Sequence, residues 1–493
     1  MKALIKSTSS LPRARALMVV ALAVSAAAIA LLVSAAGTPA ADQARPNIVV
    51  IMTDDQTLES MRVMHNVKAR IGDKGATFTN SFVNYSLCCP SRATFLTGQY
   101  EHNHRVLGNL PPDGGFGRFQ ALHGDNNLAV WLHRAGYYTA MVGKYLNGYA
   151  NDPPVPRGWS EWHAAAPYDQ QVYNYRLNEN GTPVHYGQHP ADFKQDVLTR
   201  KAVSFVNRRA RLTPPFFLWV TYTAPHEGGW GNAPVSYCGN PAAKPAPRHA
   251  HAFDAEPLPK PPNFNEPDVS DKPAYIRNRS RFGPDAIAQI QRRYRCQLGS
   301  VLSVDEGVDK IVDALGLSGE LANTLLIFTS DNGFLNGQHR IPPDKGHIYE
   351  ESIRVPLMMR GPRIPAGVEV GDLTINADLA PTIVDVANAT PGLTMDGRSL
   401  IPVVRNPGIE QGRELLIESE RWYQQPAFNA IHTRRYVYAE YATGEKELYD
   451  LQSDPFELFS RDQAPAYASI RSTLATRLHQ LQNCAGSSCR THP

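Results

Sequence analysis

Much of what would mark this chain for a special class is scarce in it. Six cysteines in 493 residues, at positions 88, 89, 238, 296, 484 and 489, are too few for a scaffold held together by disulfides. A formal net charge of +3 is too small on such a chain to argue for nucleic acid or a membrane surface as partner. No internal repeat and no low-complexity tract occurs. Hydrophobic residues at 42% and charged ones at 19% are ordinary globular values, which excludes a mainly disordered chain or a polytopic membrane protein. The length leaves room for roughly two to four domains, or for one large core with a smaller appendage.

What is present begins with an address. Lys2, Lys6, Arg13 and Arg15 precede an apolar run over residues 16–36 and the small-residue segment Gly37-Thr38-Pro39-Ala40-Ala41. This order predicts an export signal over residues 1–41. The run is about long enough to span a bilayer, so a retained N-terminal membrane anchor stays open. Either way the folded part is expected outside the cytoplasm. There cysteines can pair: Cys484 and Cys489 enclose Ala-Gly-Ser-Ser and suit a local bridge, Cys238 with Cys296 is a second candidate, and Cys88 and Cys89 are left over.

Apolar, β-branched strands are predicted at residues 47–52, 138–142, 216–222 and 324–329. Helical periods fall between them, over 128–135, 193–209 and 286–315. Such alternation predicts an α/β fold with a mainly parallel sheet covered on both faces. Residues 227–272 are rich in Pro, Gly and Ala with no usable period, an irregular excursion that reads equally as a substrate rim or a plain surface loop. His249 and His251 within it receive no role. Past about residue 365 the pattern turns to shorter strands, at 415–420 and 436–441, and a helix at 467–482. The expected division is a catalytic domain over 42–365 and a smaller α+β subdomain over 366–493.

In open parallel sheets ligands bind beyond the carboxyl ends of the strands. The first strand runs into Asp54-Asp55-Gln56 and the fourth into Asp331-Asn332-Gly333, so two strands deliver hard oxygens to one edge. Crowded carboxylates repel unless a cation neutralises them, and oxygen-only ligation suits calcium or magnesium better than zinc. Taken singly, each such Asp reads as a turn or helix cap. The third strand ends at Thr223-Ala224-Pro225-His226 and another at Gly143-Lys144, adding a proton carrier and a cation that alone would pass for structural and surface groups.

The decisive stretch is Cys88-Cys89-Pro90-Ser91-Arg92-Ala93-Thr94-Phe95-Leu96-Thr97-Gly98, where Pro90 and Gly98 punctuate a short helix. Cys88 sits near the helix N-terminus, where an anion is favoured, and Arg92 offers a fork of donors suited to a tetrahedral oxyanion. Otherwise the stretch reads as a buried or bridged cysteine before a helix start. This segment resembles the signature of the type I sulfatases, in which the first Cys of a Cys-x-Pro-x-Arg motif is oxidised to formylglycine. The resemblance runs from about Arg45 to the end, through Asp-Asp-Gln, Gly-Lys-Tyr-Leu-Asn, Ala-Pro-His, Ser-Asp-Asn-Gly, Asp-Lys and Glu-Leu-Tyr-Asp-Leu. Within that family the CCPSR segment, His102-Asn103-His104, residues 143–147 and the tail at 484–491 look like N-acetylglucosamine-6-sulfatases.

The resemblance implies an alkaline-phosphatase-like core and hydrolysis of sulfate monoesters on sulfated sugars or aryl sulfates. It implies one calcium ion held by Asp54, Asp55, Asp331, Asn332 and the hydrated aldehyde made from Cys88 by a formylglycine-generating enzyme. One hydroxyl of that hydrate is expected to attack sulfur and the other to expel sulfate. Arg92, Lys144 and Lys345 are implied around the sulfate oxygens, with His226 or Lys345 protonating the leaving alcohol. One position departs from the pattern: many members carry His two residues after the Lys of Gly-Lys, and here it is Leu146, for which His339, His102 or His104 would have to substitute. Two other readings stand beside this one, a phosphoester or phosphonate hydrolase on the same fold and a non-catalytic binder of sulfated glycans should Cys88 stay unoxidised.

Overall fold

Every residue of strand β1 (Asn47–Asp54) is buried, which requires both faces of its sheet to be covered. Its side chains alternate accordingly: Ile48, Val50 and Met52 enter one apolar cluster, Val49 and Ile51 another. The computed structural model describes residues 45–149, 154–165, 171–228, 238, 242–408 and 412–490. The expected export segment lies outside them. Among the described residues no helix is long and apolar enough to cross a membrane.

The strands that follow are β2 (Ala76–Phe78), β3 (Ser81–Phe82), β4 (Tyr138–Lys144), β5 (Glu161–Ala165), β6 (Tyr175–Glu179) and β7 (Thr182–Tyr186). Then come β8 (Phe216–Pro225), β9 (Thr324–Ser330), β10 (Leu357–Arg360), β11 (Val368–Val370) and β12 (Thr374–Ile375). Ten of them form one sheet in the order β11-β2-β10-β9-β1-β8-β4-β5-β6-β7, while β3 and β12 pair separately. Pairing is parallel from β9 through β1, β8 and β4 to β5. It is antiparallel at β9-β10, β10-β2, β5-β6 and β6-β7. The mainly parallel α/β sheet expected from the sequence is therefore present, with antiparallel flanks.

Helices α1 (Cys88–Thr97), α2 (Leu128–Arg134) and α5 (Leu379–Ala387) pack on one face, α3 (Lys194–Arg209) and α4 (Pro284–Ser318) on the other. Helix α4 overruns the predicted 286–315 at both ends: Pro284 starts it where no N–H is missed, and Gly319 stops it in a left-handed turn at φ +82°. Val301, Val304, Val308, Ile311, Val312 and Leu315 form its apolar stripe. A second, antiparallel sheet of β13 (Leu415–Ser419), β14 (Phe428–His432), β15 (Tyr436–Tyr441) and β16 (Lys446–Asp450) carries helix α6 (Ala468–Leu481). The last strand of the large sheet, β11, lies beyond residue 365.

Both expected bridges are formed, Cys238–Cys296 and Cys484–Cys489, and Cys88 and Cys89 are free and buried. The first ties the irregular excursion to α4 across a sequence separation of 58. His249 and His251 pair with Glu306 and Asp254, which suits the absence of any assigned role. Replacing Cys238 and Cys296 together by Ser is expected to lower unfolding free energy by about 2–4 kcal/mol, measured by urea denaturation under non-reducing conditions.

Candidate active site

Four neighbouring strands, β9, β1, β8 and β4, end on the same edge of the sheet. Asp331 and Asn332 follow β9, Asp54 closes β1 with Asp55 next, His226 follows β8, and Lys144 closes β4. Strand alternation would send Asp54 and Asp55 to opposite faces. A register shift against β8 between Met52 and Asp54, and a left-handed φ of 64° at Asp55, break that alternation. Two glycines matter through close approach. At Gly143, φ +116°, a Cβ would lie 1.9 Å from the carbonyl oxygen of Thr221 on β8, so only glycine lets β4 bring Lys144 to this edge. At Gly333 a Cβ would lie 2.3 Å from the carbonyl oxygen of Glu351, beside the Asp331-Asn332 pair.

Helix α1 begins at Cys88 and ends at Gly98, φ +69°. Pro90 is its third residue, within the first turn, where no intrahelical N–H is lost. The Cys88 sulfur lies 3.5 Å from Asp54 Oδ1 and 2.9 Å from Lys345 Nζ. Lys345 also pairs with Asp55, and Lys144 with Asp54. One turn along the helix, the Arg92 guanidinium is fully buried. Its Nε donates to Asp331 Oδ2 at 2.8 Å, one terminal nitrogen to Asp54 Oδ2 at 3.1 Å, and the other to the carbonyls of Lys144 and Tyr145 at 2.6 and 3.2 Å. Each nitrogen of Arg92 therefore already donates to a protein oxygen.

Burial alone would push the Asp54 carboxyl up, but Lys144, His226, Arg92 and Lys345 outweigh it and hold it well below the usual carboxylate range. Asp331 is raised instead, by burial and by the Asp54 charge. Burial pushes the Cys88 thiol up to about 12, with Asp54 adding to it. A thiol in that state carries no appreciable thiolate at neutral pH.

The donor set suits a hard cation. One ligand atom each of Asp54, Asp55, Cys88 and His226 lie within 4.8 Å of one another. Asn332 donates from Nδ2 to Asp55 Oδ1 at 2.6 Å, while its buried Oδ1 has no hydrogen-bond partner. A buried amide oxygen without a partner, on a residue beside the Asp55 carboxylate, fits oxygen ligation of calcium.

His226, with Nε2 3.6 Å from Asp55 Oδ2, is the histidine brought to this cluster among those considered. His104 bonds Thr94 and Val106, His102 bonds Glu418 and the Cys484 carbonyl, and His339 bonds Glu266. All three are thus hydrogen-bonded to other groups, and Leu146 is core. Sequence reasoning overlooked Ser91, whose hydroxyl donates to the Asp331 carbonyl and accepts from Asn376 Nδ2 at 2.9 Å. Its place inside the motif was the available signal; Asn376, 285 residues away, had none.

A family model described as Sulfatase matches residues 46–389, and one described as N-sulphoglucosamine sulphohydrolase, C-terminal, matches 337–484. The chain belongs to the sulfatase family. Membership makes this sulfatase a sulfuric ester hydrolase with the expected alkaline-phosphatase-like core. Human N-acetylglucosamine-6-sulfatase is 31% identical over 497 residues, covering 92% of this chain and 87% of the human protein. An arylsulfatase of Volvox carteri is 34% identical over 527 residues, covering 94% and 79%. A putative extracellular sulfatase of Caenorhabditis elegans is 34% identical over 363 residues, covering 73% of this chain and 49% of the worm protein, so the chain spans about half that relative. A solved structure in complex with its substrate D-glucosamine-2-N,6-O-disulfate superposes with a TM-score of 0.75 at 25% identity, covering 89% and 97%. A phosphonate monoester hydrolase of Agrobacterium radiobacter shares the fold, with a TM-score of 0.70 at 22% identity and coverage of 89% and 95%.

Two substitutions test how this sulfatase positions its site. Arg92→Ala leaves buried carboxylates uncompensated and is expected to cost roughly 3–5 kcal/mol in denaturant unfolding. Gly143→Ala is expected to cost about 3 kcal/mol and to lower kcat roughly 10²-fold by displacing Lys144.

Proposed function

We propose that this sulfatase removes 6-sulfate from N-acetylglucosamine-type sugars, using formylglycine made from Cys88 and a calcium ion held by Asp54, Asp55, Asp331 and Asn332. The observation that carries the reading is Cys88 itself. It is a fully buried thiol at a helix N-terminus, set between Asp54 and Lys345 and too weakly acidic to act as a thiolate. Oxidation by a formylglycine-generating enzyme would replace that inert group, and the Cys-x-Pro-x-Arg pattern supports such a step. A hydrated aldehyde carries two hydroxyls on one carbon, one able to attack sulfur and the other able to release sulfate. Calcium bound here supplies a Lewis acid that orients and acidifies the attacking hydroxyl.

The remaining work falls to the chain's own side chains. Lys144 and Lys345 hold fixed positive charge where sulfate oxygens gain negative charge in the transition state. Arg92 is a positioning residue that holds Asp54 and Asp331. The His226 Nδ1–H donates to the Glu227 carbonyl at 2.9 Å, leaving Nε2 to carry a proton to the leaving alcohol. Lys345 is the other donor within this cluster.

The sugar reading is supported by the human relative's name and by the sulfated glucosamine in the solved structure, with aryl sulfates as the other class named among relatives. Export is supported by the two disulfides, the basic and apolar N-terminal segment, and the extracellular naming of the worm relative. We assign catalysis to residues 42–365 and a supporting role to the smaller part at 366–493.

Mass spectrometry of the Cys88 peptide from active protein is expected to show the aldehyde, which is lighter than the thiol. Active protein carrying only thiol would sink the mechanism, and inactive thiol protein that binds sulfated glycans would favour a binding role. Paired aryl sulfate and aryl phosphate substrates are expected to show a preference for sulfate; the opposite preference would favour phosphoester hydrolysis. His226→Ala is expected to lower kcat on 6-sulfated sugars roughly 10²–10⁴-fold, and far less on an aryl sulfate whose leaving group needs no proton.

A further inference from the structure

Lys345 reaches Cys88 from residues 341–349, a stretch that forms no helix or strand, whereas Arg92 stands on α1 and Lys144 closes β4. Its Nζ nevertheless lies 2.9 Å from the Cys88 sulfur, and the side chain is buried. A long side chain on an irregular backbone places its tip only where other groups hold that backbone. We propose that Trp422 and Gln425, in the connection from β13 to β14, are positioning residues for Lys345, so that the C-terminal sheet completes the active site. This rests on the catalytic role given to Lys345.

That connection is a tight hairpin. Trp422 and Gln425 exchange backbone hydrogen bonds of 3.2 and 2.9 Å, and Tyr423 at the tip takes a left-handed φ of 49°. The two paired residues grip the lysine's backbone from either side. Before it, Trp422 Nε1 donates at 3.2 Å to Asp344 Oδ1, the same atom that accepts the Lys345 N–H at 2.9 Å. After it, Gln425 Nε2 donates to the Gly346 carbonyl at 2.5 Å and to Ser419 Oγ at 3.0 Å. Gly346, at φ +88°, lies against the indole: a Cβ there would be 3.3 Å from Trp422 Cδ1, so the ring closes on the backbone because the residue is glycine.

Other contacts of the same stretch reach the parts of the site that Lys345 must meet. Asp344 pairs with Leu335, just beyond the Asp331-Asn332 pair, through backbone hydrogen bonds of 2.8 and 3.3 Å. The Gly346 N–H donates at 3.2 Å to Ser86 Oγ, shortly before Cys88. Further along, the Tyr349 hydroxyl donates at 2.9 Å to Glu447 on β16. The backbone of Lys345 is thus set between the ends of β9 and α1 on one side and the C-terminal sheet on the other.

Gln425 is 1% exposed, and its buried Oε1 has no partner among the described residues. The Gly346 carbonyl can only accept, so the amide nitrogen must face it. Burying an amide with its oxygen unpaired costs stability. Such a residue is of use here for the two donors it turns to Ser419 and to the carbonyl next to Lys345, which it holds without touching substrate.

Full-length protein carrying Gln425→Met, which nearly keeps the volume and removes the donor, is to be assayed on an aryl sulfate beside Lys345→Ala and the double variant. Gln425→Met is expected to lower kcat roughly 10–10²-fold, with KM changed less, as for a catalytic group displaced by about 1 Å. In the Lys345→Ala chain the same substitution is expected to cost less than about twofold, because a residue acting through the lysine has nothing left to place. Crystals of Gln425→Met are expected to show Lys345 Nζ displaced from position 88 with Lys144 unmoved. Trp422→Phe, at a half-buried position, keeps a ring near Gly346 and drops the bond to Asp344; it is expected to show the same pattern with a smaller loss, and it carries the test where Gln425→Met does not fold. Equal losses with and without Lys345, an unmoved lysine in an impaired variant, or a folded Gln425→Met with the parent's kcat each overturn the proposal. A Lys345→Ala chain as active as its parent overturns instead the catalytic role of Lys345; where that chain has no measurable rate, the position of the lysine in the crystal decides.

Discussion

The fully buried guanidinium of Arg92, set between Asp54 and Asp331, is the contact on which the rest of this structure depends. It joins a helix to the ends of two parallel strands and, through the carbonyls of Lys144 and Tyr145, to a third. Burying such a group is costly unless every donor is satisfied, and here each nitrogen has an oxygen acceptor. The side chain therefore fits at this one place, and it sets the distance of Cys88, one turn earlier, from the carboxylates.

Around it the chain buries three aspartates and Lys345, with Lys144 partly exposed beside them, in a space that apolar packing alone would never favour. The scaffold bears that cost. Strands such as β1 and β8 are buried along their whole length, and the clusters on the two faces of the sheet hold them rigid. Rigidity allows Asp55 to keep a left-handed backbone and Gly143 to press against Thr221. Charge crowded in this way is pre-organised for an anionic ester and a cation, with little left to rearrange during reaction.

The same fold serves neighbours that act on phosphonates, so architecture alone does not select the reaction. Selection lies in the group at position 88 and in the side chains facing it. A buried thiol of low acidity fits the proposed role of precursor, and the lysines around it offer positive charge to an anionic ester.

The alternation of apolar strands with helical periods, and polar residues placed directly after strands, were legible because period and composition record local burial. The Cys88–Gly98 stretch was legible because a motif keeps its residues within one turn of helix. By itself the sequence thus determined the α/β class and the family, and offered both bridges and the residues Asp54, Asp55, Cys88, Arg92, Lys144, His226, Asp331, Asn332 and Lys345 as candidates. Only the tertiary structure decided which histidine joins them, since His102, His104 and His339 carry no sequence mark of the partners that occupy them. It also decided that Arg92 faces protein oxygens, that Asp55 turns out of strand alternation, and that Asn376 anchors Ser91 across 285 residues. These are matters of register and of contacts between distant segments, which depend on how strands pair and faces pack and so leave no period along the chain.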